Sequence, residues 1–197
     1  MRGGLIALGV VVVLVIGVVV WAVGVQNQLV RLDQDVNGRW AQVQNVYQRR
    51  ADLVPNLVET VKGFATQERT VLTEVTQARA NATSIRLTPE ALNDPQAMAK
   101  FQAAQAQLSG ALSRLLVTVE RYPELKSNQN FLTLQSQLEG TENRIAVERQ
   151  RYNDAVRDYN TRLRLFPASI VAGMMGFKPK AFFEAQPGSE TAPKVKF

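Results

Sequence analysis

From Leu5 to Val25 every position is apolar or glycine, and from Gln26 onward apolar residues recur three and four positions apart among polar ones. The first pattern leaves no solvent face; the second leaves one. Twenty-one residues at ~1.5 Å each span ~31 Å, the hydrocarbon thickness of a bilayer. The run therefore reads as a single-pass transmembrane helix behind a short leader, residues 1–4. Leu5, Val12, Ile16, Trp21 and Val25 are taken as its anchor residues. A cleaved signal peptide is the rival reading, since Ala22-Val23-Gly24 passes for a weak cleavage box. The run is longer than the ~7–15 residues of a signal core, and Trp21 and Val25 put bulk beside that box.

Beyond the anchor, a heptad series opens at Leu29 and continues through Val36, Val43, Leu57, Phe64, Val71 and Ala78. Leu32, Trp40, Tyr47, Val54, Val61 and Val75 fill the companion positions. The pattern predicts one coiled-coil-like stalk from Leu29 to Ala78, continuous with the anchor and bent near Leu53 to Asn56, because Pro55 removes a backbone donor. Asn81 to Pro95 is a connection, with Thr88-Pro89-Glu90 as a capped turn. Asp94-Pro95 supplies an N-cap and a first helical proline for a helix running to about Glu120, with Phe101, Leu108, Leu112, Leu115, Val119 and Tyr122 as its seam. Ser127 is placed as the next cap. The last long helix carries Phe131, Leu138, Ile145, Tyr152, Tyr159 and Phe166 seven apart, with Leu134, Val156 and Leu163 beside them. Pro167 ends it, and a short apolar helix, 168–175, follows. None of these helices can bury its seam alone. The fold class is therefore all-α: a transmembrane helix followed by an elongated antiparallel bundle of three to four long helices over residues 26–185, with a flexible tail over 186–197.

Composition narrows the chemistry. The chain has neither cysteine nor histidine, which excludes disulfides, lipoprotein processing, thiol nucleophiles, and histidine ligands or bases. It carries no phosphate-binding loop, dinucleotide fingerprint or nucleophile elbow. No enzyme, cofactor or metal site is expected. The 23 basic and 17 acidic residues give +6, spread without a basic stripe, so nucleic acid is not an expected partner. The lipid bilayer is, with anionic headgroups as the sharper form of that reading. Arg31, Arg39, Arg49 and Arg50 follow the anchor and only Arg2 precedes it, which favours a cytoplasmic bundle on the inner membrane.

Four polar residues fall on seam positions: Arg50, Glu68, Thr141 and Glu148. They are either frayed and snorkelling or an interhelical polar layer, with Arg50 or Arg149 paired to Glu68 or Glu142.

Two blocks resemble the LemA family. The first is Arg49-Arg50-Ala51-Asp52-Leu53-Val54-Pro55-Asn56, then Thr60-Val61-Lys62-Gly63-Phe64, Glu68 and Ala78-Arg79. The second is Glu142-Asn143-Arg144-Ile145-Ala146, Arg151-Tyr152-Asn153, Val156, Tyr159-Asn160, Phe166-Pro167, Gly176-Phe177 and Phe183-Glu184, with the ending Pro193 to Phe197. The resemblance implies a bacterial protein with an N-terminal membrane segment, a helical domain and no established enzymatic activity. It also implies a genomic setting near membrane metalloproteases or small envelope proteins, and one branch is linked to magnetosome membrane formation. Gln67 stands where the family commonly has histidine, so His-Glu chemistry is unsupported here. Arg49, Asp52, Asn56, Glu59 and Gly63 share a helix face around Pro55. With Asn143, Arg144, Arg151, Asn153 and Asn160 of the last helix they either satisfy backbone groups freed by the proline or form a surface for neighbours; Arg79 stands only as a structural or interaction candidate of the motif. Phe197 and Val195 are either a basic free end or a strand that docks on a neighbour. The expected function is a non-enzymatic, self-associating scaffold at the bacterial cell membrane. The alternative is a regulatory adaptor for a membrane protease or envelope-stress system, with the protease or an envelope protein as partner.

Overall fold

The computed structural model describes residues 2–65 and 67–184. Helix α1, Arg2–Phe64, is one uninterrupted helix of 63 residues, about 95 Å long at ~1.5 Å per residue. It is followed by α2 (Arg69–Ser84), a single 3-10 turn (Ala91–Asn93), α3 (Pro95–Val119), α4 (Pro123–Lys126), α5 (Gln129–Arg164) and α6 (Ala168–Met175). The class is all-α, and no strand occurs among the described residues.

The apolar run and the stalk are one helix, as the pattern predicts. The run's side chains are exposed from Leu5 to Val20, and its apolar window is long enough to cross a membrane. Val25 corrects the sequence reading: it is 4% exposed and packs into the bundle core with Leu29 and Val171. The core begins at the last turn of the anchor.

The stalk is shorter than its heptads suggest. The helix passes through Pro55 and stops after Phe64, and α2, from Arg69, folds back along α1. A lone stalk would leave its seam in water. Folding back packs Leu72, Val75, Ala78 and Ala82 of α2 with Val54, Leu57 and Val61. Phe64 turns outward at this tip and is 42% exposed.

Helix α3 starts where expected: Asp94 caps it, its side chain accepting from the Gln96 N–H at 2.8 Å, with Pro95 at the first position. It returns to the tip. The cap of α5 is Asn128, one residue after the expected Ser127; its side chain accepts from the N–H groups of Asn130 and Phe131. The Ser127 hydroxyl donates to the Pro123 carbonyl instead. Helix α5 then runs antiparallel to α1 for most of the bundle. Phe131, Leu138, Ile145, Tyr152 and Tyr159 are buried as the heptad requires, but Phe166 lies past the helix end and is 80% exposed. Gly176, at φ 74°, closes α6 in the left-handed conformation that glycine adopts without steric cost.

Candidate interaction site: a buried arginine layer and a clamped C-terminal segment

The core is two apolar clusters with one polar layer between them. The membrane-proximal cluster holds Trp40, Phe101, Tyr152 and Phe183; the distal one holds Val54, Leu57, Leu108 and Leu138. Arg50 sits at the boundary and is 1% exposed. It was placed by sequence on a seam, and it is paired there. Its guanidinium donates to the Glu142 carboxylate at 2.7 Å, the Ser109 hydroxyl at 2.8 Å and the Gln105 backbone carbonyl at 3.3 Å. It also donates to the Gln105 side-chain oxygen and stacks over the Tyr47 ring at 5.1 Å. Gln105 passes the network on by donating to the Ala82 carbonyl of α2 at 3.2 Å. Arg50 and Gln105 together thus link all four long helices. A cleft of about 310 Å³ opens beside it, between Arg50, Glu142 and Arg149.

Of the other seam candidates, Thr141 is buried and bonds back to the Gln137 carbonyl at 2.7 Å. Glu148 pairs with Arg151 on its own helix at 2.7 Å. Glu68 is not in the Arg50 layer. It sits at the distal tip, where it accepts from Tyr122 at 2.9 Å and Arg121 at 3.1 Å, tying the α1–α2 turn to the α3–α4 turn. That hydrogen bond holds the Tyr122 phenol above its ordinary range.

The family-like residues divide into three sets. Arg79 is the one that serves the proline: its Nε donates to the Ala51 carbonyl at 2.6 Å. Pro55 is the residue whose missing N–H leaves that carbonyl without its helical partner.

A second set clamps residues 178–184. The Asn153 amide donates to the Phe183 carbonyl at 3.0 Å and accepts from the Phe183 N–H at 2.8 Å. Asn160 does the same to Lys180, 2.9 Å each way. Tyr152 donates to the Ala181 carbonyl at 3.0 Å and Tyr159 to the Lys178 carbonyl at 3.1 Å. The spacing has a geometric cause. Seven helical residues rise ~10.5 Å and three extended residues ~10 Å, so a Tyr-Asn pair repeated one heptad apart meets an extended segment running the opposite way every third residue. Burial pushes the Tyr159 phenol up to about 12, with Asp33 adding to the rise, and raises Tyr152 further by burial alone.

The clamped segment completes the core. Phe183 lies 5.3 Å from the Tyr152 ring and 6.0 Å from Trp40, with the Arg149 guanidinium 4.8 Å over its face. Lys180 is 7% exposed, and its ammonium pairs with Asp33 of α1 at 3.1 Å and donates to the Pro89 carbonyl at 3.2 Å. The sequence reading missed Lys180, Gln105 and Ser109. The available signal was polar residues inside apolar stretches, Gln105 and Ser109 around Leu108 and Lys180 beside Ala181-Phe182-Phe183.

The third set stays in solvent: Arg49, Asp52, Pro55, Asn56, Asn143 and Arg144 are exposed. Asp52 accepts only from Gln48 one turn away, among the described residues. The tail, with Val195 and Phe197, lies outside the described residues. Among those residues no group of three or more metal-ligating side chains occurs.

The LemA family model matches residues 39–197. Two curated proteins of Paramagnetospirillum magneticum, magnetosome proteins MamQ 1 and MamQ 2, are each 26% identical, over 84% of this chain. The chain spans 66% of the length of each, just under two thirds.

Proposed function

The chain belongs to the LemA family, and on that premise we propose that it is a non-enzymatic scaffold that self-associates at the inner membrane with its bundle in the cytoplasm. The observation that carries the proposal is the continuity of α1, which spans both the apolar run and the bundle without a break. Contacts made between bundles would be passed directly to the bilayer, with no flexible linker to absorb them. The match to the magnetosome proteins supports a membrane-associated helical protein. Arg49, Asp52 and Asn56 of α1 and Asn143 and Arg144 of α5 are exposed and polar, and in this reading they supply the contact surface.

The test is crosslinking and sizing of the full chain in mild detergent, followed by charge reversal at Arg49 and Arg144. Oligomers that the reversals dissolve support the scaffold; a monomer at high concentration sinks it. Pull-down from membranes separates the alternative: recovery mainly of the chain itself fits a scaffold, and a stoichiometric protease or envelope protein fits an adaptor.

A further inference from the structure

Exposed large apolar side chains on the bundle are mostly isolated, as at Val117, Leu132 and Val147. One stretch differs. Between positions 165 and 175, Leu165, Phe166, Ile170, Met174 and Met175 are 51%, 80%, 54%, 81% and 53% exposed. Soluble surfaces rarely concentrate apolar residues so closely unless something covers them.

The position of this stretch identifies what covers it. The inner face of α6, Val171 and Ala172, packs in the same cluster as Ala22 and Val25 of α1. Helix α6 therefore lies beside the last turn of the apolar span. Trp21, 41% exposed, stands one residue before that contact, at the level where indole rings favour the membrane–water boundary. The charge pattern agrees. Residues 2–32 and 159–183 contain no Asp or Glu, whereas Arg31, Arg164 and Lys178 are exposed around the same end. A cationic collar around an apolar end matches anionic headgroups above acyl chains.

We propose that the 165–175 stretch, with α6 at its centre, is a second membrane contact, seated in the boundary layer of the same bilayer that α1 crosses, with Phe166, Ile170 and Met174 in the lipid and Arg164 and Lys178 against anionic headgroups. The chain would then stand on two feet. A single helix can rotate and tilt freely about its axis; a second contact packed against it fixes both. The proposal rests on α1 being retained as an anchor.

The chain has no native cysteine, so single cysteines can be placed without background. The full-length protein carrying Met174→Cys, Ile170→Cys, Leu132→Cys or Val12→Cys is spin-labelled in vesicles of phosphatidylcholine and phosphatidylglycerol. Collision with oxygen, which partitions into lipid, is compared with collision with an aqueous nickel chelate. The expected result is a ratio at Met174 and Ile170 raised above Leu132 toward that of Val12. A Met174 ratio equal to that of Leu132 overturns the second contact while leaving the anchor intact. A Met174 label shielded from both reagents and broadened by a neighbouring spin also overturns it, because a second copy then covers the face. If Val12 itself reads as aqueous, or is lost by cleavage, the anchor fails and the second contact falls with it.

Discussion

Arg79 supplies the backbone donor that Pro55 lacks. Its Nε lies 2.6 Å from the Ala51 carbonyl, the acceptor one helical turn before the proline. A proline inside a helix otherwise orphans that carbonyl, which is why such prolines usually end or kink the helix. Here the missing bond is replaced from α2, and the replacement also joins α2 to α1.

The pair predicts a coupled mutational cycle. Arg79→Ala should lose about 1–3 kcal/mol, the penalty of an unsatisfied buried group. Pro55→Ala restores the N–H, so Arg79→Ala in that background should lose distinctly less. Chemical denaturation of the four proteins in detergent reads the difference. Equal losses in both backgrounds would mean that Arg79 acts by packing alone.

The Arg50 layer predicts an order of effects. Arg50→Ala should be severe, about 3–5 kcal/mol, because it strips a buried network of its centre. Glu142→Gln should be the mildest, because residue 142 is 45% exposed on its side chain and glutamine keeps an acceptor for Arg50. Glu142→Ala should fall between them. The reverse order would place the stabilisation in the carboxylate's charge instead of the guanidinium's hydrogen bonds.

The asparagine clamps predict a local opening. Asn153→Ala removes two hydrogen bonds to Phe183, and Asn153→Asp keeps only the acceptor for its N–H. Hydrogen exchange of residues 178–184 should accelerate in the order wild type, Asp, Ala, with the α1–α5 core still protected. Uniform acceleration across the bundle would show the segment to be part of the global core.

Alkaline pH should destabilise the membrane-proximal half. Tyr159 is held at about 12 when folded, against an ordinary value of 10, and Tyr152 is raised as well. Below pH 10 both states keep the phenol protons and stability is unaffected. Between about pH 10 and 12 the unfolded chain gives them up first, so stability falls as pH rises. Tyr152→Phe and Tyr159→Phe should flatten that fall in melting curves taken across the window, at the price of a lower starting stability from the lost hydrogen bonds.

The sequence alone determined the helices, because apolar spacing is a local property carried by each helix's own geometry. Leu29, Val36 and Val43, and Phe131 to Tyr159, are buried as their heptads require. The apolar span and its fusion to the stalk were legible for the same reason, as was the Asp94-Pro95 start of α3. Arg50 and Glu142 were legible as a possible pair, since a charge on a seam needs a partner, but not as the chosen pair.

What only the tertiary structure decided is where chain segments meet. The break after Phe64 follows from α2 covering the seam of α1, a gain that no local signal encodes. Phe166 continues its heptad by number and leaves the core because α5 ends at Arg164. Asn153 and Asn160 show the difference most directly. Their seven-residue spacing is visible in the chain, but its meaning lies in a match between helical rise and the rise of an extended chain that arises only when residues 178–184 are laid alongside. Polar contacts between distant segments depend on distances in space, and one-dimensional periodicity does not contain them.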